Sequence, residues 1–272
     1  NRPPESSVVN DVPVAGKTQA VLSLPDGRQV ALGNEKEQDT AWMKYVEACT
    51  IESKATTEPA DIKIEVARGG EYKIRLEDGT TVWLNSESSL IYPEKFTGDK
   101  RAVRLSGEGY FEVARDEKKP FIVSVTDMEI KVLGTKFNVT AYQDEKMTTT
   151  TLISGAVEVV TPHRSVQLQP GKQAMVQEGG DDITVLEVDV ELATSWTAGI
   201  FKFDKMALTD ICTRLSRWYD IDFVFEGETG KEKFTGGTWK YVPLKDFLSK
   251  IERVTNVLFL FENNTVRVVP KK

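Results

Sequence analysis

With 272 residues, 40% apolar and 28% charged, the chain has the composition of a folded protein of about two domains. Its net charge of −7 argues against a broad basic face for nucleic acid and against docking on an anionic membrane surface. The charge is uneven: Trp196 to Lys272 holds 13 basic against 10 acidic residues, leaving the remainder at −10, an asymmetry that suggests two modules.

Residues 1–16, rich in Pro and Ser with no apolar period, predict an extended lead-in. The chain starts at Asn1 without an initiator Met or a basic-apolar leader, and reads as a piece of a longer protein. No window holds the roughly 18 apolar residues of a membrane span, which describes this piece alone. An internal echo follows. Leu24-Pro25-Asp26-Gly27 to Leu32 matches Leu76-Glu77-Asp78-Gly79 to Leu84 at a constant offset of 52. Each predicts a strand, a two-residue Asp-Gly turn with both turn positions at positive φ, and a second strand.

Residues 17–190 predict one β-domain, with an N-terminal hairpin segment over 17–60. Short runs such as Val103/Leu105, Ile130/Val132 and Val157/Val159 alternate with a period of two. Gly98-Asp99, Gly134, Ser154-Gly155, Pro170-Gly171 and Gly179-Gly180 punctuate them. The one helix expected here is Asp39 to Ala48, where Trp42, Tyr45 and Val46 share a face. Thr148 to Thr151 reads as an exposed strand face. The fold class is therefore mainly β: a short-stranded, stacked, solenoid- or roll-like domain.

The period changes after Ser195. Leu208, Ile211, Cys212, Leu215 and Trp218 define one amphipathic helix, with Asp204 as its candidate cap. Leu244, Phe247, Leu248, Ile251 and Val254 define a second. Strands at Ile200–Phe203, Ile221–Phe225, Phe234–Gly237, Val257–Phe261 and Thr265–Val269 complete β-α-β-β-α-β-β. Residues 195–272 thus predict a small α+β domain with both halves packed on one sheet.

Catalytic signals are weak. His163 is the only histidine and sits in a turn-like Thr-Pro-His-Arg. Metal sites and catalytic triads need several such groups in register, so no metal and no cofactor are expected. Gly227 to Lys231 has the wrong glycine spacing for a phosphate loop, and Gly107-Glu108-Gly109 precedes a strand instead of a helix. Glu108 and Glu112 share a strand face and are the best carboxylate pair for glycoside chemistry; the preferred reading has Glu108 satisfying backbone donors at a sheet corner. Cys49 and Cys212 are too far apart in sequence to suggest a redox pair and read as unpaired thiols.

Three motifs carry more information. They are Asp78-Gly79-Thr80-x-Val82-Trp83-Leu84-Asn85, Gly107-Glu108-x-Tyr110-Phe111-Glu112-Val113 and Leu133-Gly134-Thr135-x-Phe137-Asn138-Val139. In this order and spacing they resemble the periplasmic region of FecR-type anti-sigma factors. Trp196 to Phe203, Leu208 to Ile211 and Leu215 to Ile221 resemble the C-terminal domain of Bacteroidetes members, a relative of the short signalling domain of secretins and TonB-dependent transporters. Gly109 departs from the family, which usually carries a larger residue there, and is expected to cost a little packing.

The resemblance implies a non-enzymatic periplasmic sensor of a single-pass inner-membrane protein whose membrane helix lies outside this chain. Its implied partners are the N-terminal signalling domain of a TonB-dependent outer-membrane transporter and, through a cytoplasmic part, an extracytoplasmic-function sigma factor. Phe201, Phe203, Trp218, Tyr219 and Trp239 are the aromatic candidates for a protein-docking surface; the competing reading has all five filling helix–sheet layers. The alternative function is a carbohydrate-binding or structural surface module that uses Trp83 and Trp239 as stacking platforms.

Overall fold

The computed structural model describes residues 14–33, 61–126 and 128–271. The helix expected at Asp39 to Ala48 and Cys49 lie outside the described residues. By packing, the chain divides into a unit of residues 17–198 and a second unit that joins 199–271 to residues 14–16.

The first unit holds β1 (Lys17–Thr18), β2 (Ala20–Ser23), β3 (Gln29–Leu32), β4 (Asp61–Val66), β5 (Gly70–Arg75), β6 (Thr81–Leu84), β7 (Ser88–Pro93) and β8 (Arg101–Glu112). It continues with β9 (Phe121–Val125), β10 (Met128–Val132), β11 (Lys136–Ala141), β12 (Met147–Ser154), β13 (Val157–Val160), β14 (Ser165–Leu168), β15 (Lys172–Gln177) and β16 (Ile183–Glu187). One sheet runs β3-β2-β4-β7-β8-β9-β10-β13-β14, and the other β1-β5-β6-β8-β11-β12-β15-β16. The expected stack of short strands takes the form of two mostly antiparallel sheets that share β8.

Strand β8 spans 12 residues because it serves both sheets in turn. Residues 101–106 pair with β7 and β9, and residues 107–112 with β6 and β11. The change falls at Gly107, whose φ is +91°. A Cβ there would lie 2.4 Å from the Ser88 hydroxyl and 2.7 Å from the Glu87 carbonyl oxygen. The Gly-x-Gly of the sequence therefore marks a sheet corner. Inner faces of both sheets feed one core, in which Phe111 stacks on Phe137 at 5.0 Å and meets Phe121 at 6.3 Å.

Both Asp-Gly turns occupy equivalent hairpins of this unit, β2–β3 and β5–β6. Their chemistry differs from the two-residue form. Only Gly27 and Gly79 have positive φ, at +85° and +86°. Leu24 N–H donates to Arg28 O and Gly27 N–H to Leu24 O; Leu76, Thr80 and Gly79 repeat the pattern. This is a three-residue loop in which a single glycine carries the left-handed conformation. The second turn is also tied to the corner strand. Asp78 accepts from buried Arg101 at 2.7 Å, and Arg101 also donates to Ala114 O and Lys119 O.

Two local expectations change. Thr150 and Thr151 are buried, because β12 is central between β11 and β15 and is covered by the segment after Val188. Gly109 leaves no hole, since a Cβ there would meet Phe111 Cε2 at 2.9 Å and Leu105 Cδ1 at 3.2 Å. The Phe111 ring fills the space that a larger residue would take.

Burial pushes the Tyr72 hydroxyl up to about 12 from the ordinary 10.0. An unfolded chain therefore releases this proton first, and the native state loses stability as pH rises from about 10 to 12. The thermal midpoint of the first unit should fall across that window in the wild type and fall less in Tyr72→Phe, measured by circular dichroism.

The second unit follows the expected order: β17 (Ile200–Ala207), α2 (Leu208–Tyr219), β18 (Asp222–Phe225), β19 (Lys233–Trp239), α3 (Leu244–Val254), β20 (Val257–Glu262) and β21 (Thr265–Pro270). A short helix α1 (Val190–Thr194) precedes it in the first unit. The two halves do not share one sheet. β17 pairs only with β19, while β18, β21 and β20 form a separate three-stranded sheet. Asp204 caps no helix; it sits in a bulge of β17 and accepts from Thr235, and Ala207 occupies the cap position of α2. Cys212 is buried on the apolar face of α2, and burial holds its thiol protonated well above the ordinary range, as expected of an inert core thiol.

Candidate protein-docking site

The sequence-predicted aromatics divide sharply in the structure. Phe201, Phe203, Trp218 and Tyr219 are core residues, whereas Trp239 is 61% exposed. Phe203 stacks on Phe247 at 6.0 Å and meets Phe234 edge-on at 6.4 Å, with Phe201 alongside at 6.0 Å. Strand alternation puts Phe201 and Phe203 on the inner face of β17, and helical spacing puts Trp218 beneath α2. These four build the second core and are not themselves surface anchors.

Two of them nevertheless shape the surface. Trp218 Nε1 donates to Lys240 O at 2.7 Å. The Tyr219 hydroxyl donates towards the same carbonyl at 3.1 Å and towards Val242 O at 2.7 Å. Lys240 is buried with its ammonium 3.8 Å from the Trp218 ring centroid, a cation–π contact in a desolvated site. The Lys240 carbonyl is thus held by two donors from the end of α2. Its neighbours Trp239 and Tyr241 are turned outward, the latter 56% exposed with its ring edge-on to Trp218 at 5.7 Å. Sequence reading missed Tyr241. The signal was a second aromatic in the turn that directly follows β19 and its exposed Trp239.

From the other side of the chain, Ala15 packs on this core, and a Cβ on Gly16 would sit 2.7 Å from the Trp218 ring. Residues 14–16, read from sequence as the end of a lead-in, are part of this unit.

A second exposed surface lies on the three-stranded sheet. Val224, Leu258 and Leu260 are exposed on one face, and β20 is an edge strand. On this face Arg267 is clasped by Glu226 and by Glu262, the latter at 2.8 Å. The outward Phe259 N–H is taken by the Glu252 carboxylate at 2.8 Å, which guards part of the open edge.

The other candidates carry no such display. Trp83 is half-buried, with the Lys73 ammonium over its ring at 4.6 Å and Tyr110 edge-on at 5.3 Å. One face of the proposed sugar platform is therefore occupied. Glu108 accepts from the side chains of Asn85, Asn138 and Thr140, not from backbone donors, and Glu112 pairs with Lys136 at 2.8 Å. His163 is exposed in its turn, 3.7 Å from Asp181. Among the described residues no group of three or more metal-ligating side chains occurs, and no helix is long and apolar enough to cross a membrane.

Comparison with known proteins bears on what such a surface serves. The FecR protein family model matches residues 62–158, and the model for the FecR C-terminal region matches residues 200–268. Two crystal structures of a candidate anti-sigma factor from Parabacteroides distasonis are similar to this chain at 30% identity. One covers 78% of this chain and 100% of its own with a TM-score of 0.72. The other covers 77% and 99%, also at 0.72. The chain belongs to the FecR family of anti-sigma factors. Among curated proteins none matches it significantly. FecR proteins are regulatory, membrane-anchored anti-sigma factors, so a sigma factor is an implied partner and a sensor role follows. The three motifs singled out in the sequence map onto the turn, the shared strand and the third strand of one FecR sheet: β5–β6, β8 and β11.

Proposed function

We propose that this chain is the periplasmic sensor part of a FecR-type anti-sigma factor. Its 199–271 unit docks the N-terminal signalling domain of a TonB-dependent outer-membrane transporter. A part of the protein outside this chain then holds or releases an extracytoplasmic-function sigma factor. The observation that supports this reading is the outward pair Trp239 and Tyr241, carried on a backbone that Trp218 and Tyr219 fix at Lys240. Aromatic side chains held rigidly at a surface lose little entropy on binding and dominate protein interfaces. The mechanism is differential affinity: the partner favours the conformations of this unit that present the pair, and shifts the population towards them.

The test uses the whole chain immobilised on a surface and the purified signalling domain of the cognate transporter. Saturable capture is expected. Absence of capture, with both proteins folded by circular dichroism, would overturn the reading.

A further inference from the structure

We infer that residues 189–198 form a strap on the first unit, anchored by Trp196, and that Glu108 sets the grip of this anchor from two hydrogen bonds away. The inference is independent of which partner the second unit binds.

The strap begins where Val188 N–H donates to Gly171 O. It comprises α1, capped by Asp189 through Glu191 N–H at 3.0 Å, and a 3-10 turn at Ser195–Ala198. A five-residue helix has too few hydrogen bonds to persist alone in water. None of its residues is buried. Trp196, at 6% exposure, is the one buried residue between 189 and 198. Attachment of the strap therefore rests mainly on this indole, which buries more apolar area than any other side chain could.

The socket is built from three strands. Trp196 Nε1 donates to Asn138 Oδ1 on β11 at 3.2 Å. Asn138 Nδ2 in turn donates to Glu108 Oε1 on β8 at 3.0 Å, and Asn85, just after β6, donates to Glu108 Oε2 at 2.7 Å. Thr140 Oγ1 adds a contact to Oε1 at 3.3 Å. An ionised carboxylate only accepts, so Glu108 holds the Asn138 amide with its NH2 inward and its oxygen towards the indole. Reversing that amide would set donor against donor at Trp196. Asn85, Glu108 and Asn138, which in sequence look like unrelated outward polar residues, form one positioning network for the anchor.

The consequence lies in the tether between the two units. The chain crosses between them at 16/17 and at 198/199. The first crossing is pinned by pairing of Lys17 and Thr18 with β5. The second is pinned by the strap. Released, residues 189–198 would extend to about 35 Å, so Trp196 decides whether this stretch of the first unit is held on the sheet or free of it.

Hydrogen exchange by mass spectrometry on the full chain tests this with Trp196→Phe, which removes the N–H but keeps a ring, and Glu108→Gln, which leaves one acceptor oxygen where the carboxylate offers two to Asn85, Asn138 and Thr140. Both should speed exchange of the 189–198 amides, by roughly ten-fold for one lost hydrogen bond, while β9 and β10 keep wild-type rates. In Glu108→Gln the Trp196 indole 1H–15N resonance should also shift, although that indole does not touch residue 108. Wild-type exchange of the strap in both variants would overturn the inference. So would acceleration shared equally with β9 and β10, which would mean general destabilisation. If Glu108→Gln fails to fold, Trp196→Phe alone decides by the same two criteria.

Discussion

Replacing Gly107 with Ala should lower the thermal midpoint of the first unit more than any other single-methyl addition. The residue sits at φ +91°, which costs an L-residue about 1–3 kcal/mol. The added Cβ also meets Ser88 Oγ at 2.4 Å, Glu87 O at 2.7 Å and Ser88 Cα at 2.7 Å. Two of these three atoms are backbone in the loop entering β7 and cannot rotate away. Overpacking of this kind costs a further 1–3 kcal/mol or so. A total of about 2–6 kcal/mol corresponds to a fall on the order of 10 °C in a domain of this size. The reason is architectural: Gly107 is where β8 leaves one sheet for the other. Gly109→Ala, crowded only by the side chains of Phe111 and Leu105, should cost markedly less. A smaller loss for Gly107→Ala than for Gly109→Ala would remove the corner from the account.

Trp218→Ala should have the largest effect in the second unit. The indole is fully buried between α2 and the 239–242 segment. Truncating such a ring costs about 3–5 kcal/mol through lost transfer energy and the cavity left behind. A unit of some 75 residues has only a few kcal/mol more than that to lose. The substitution also removes the donor to Lys240 O and the ring beneath the Lys240 ammonium, leaving a buried cation less well compensated. The thermal transition of this unit should drop by roughly 15 °C or disappear, with that of the first unit unchanged. Trp218→Phe, which keeps most of the ring but loses the N–H, should cost about 1–2 kcal/mol. Equal melting curves for Trp218→Ala and wild type would place the residue outside the core.

The contrast between these two sites shows where the sequence was legible. The period of α2 and α3, the five strands around them and the Asp-Gly hairpins could be read locally, because each depends on neighbours three or four residues away. The split of the second unit into two sheets depends on which strands pair across 40 residues or more, as β18 does with β21. Nothing local encodes that. Burial of Thr150 and Thr151 depends in the same way on what lies over β12. The socket of Asn85, Glu108 and Asn138 was visible only as motif membership, since polar residues on alternate strand positions look solvent-facing until a covering segment is placed over them. For the docking aromatics, the residue type was informative and the exposure was not: Phe201 and Trp239 lie one register position apart at the same end of one strand pair, one turned in and one turned out.

The proposed role of the second unit is tested most directly by calorimetric titration of the transporter's signalling domain into the full chain. Wild type and a Trp239→Ala/Tyr241→Ala double variant are compared, both checked for unchanged melting. Both side chains are more than half exposed, so their removal should leave the fold intact. Loss of two central aromatic anchors should weaken binding at least a hundred-fold, about 2.7 kcal/mol. Wild-type affinity in the double variant would contradict docking through this pair.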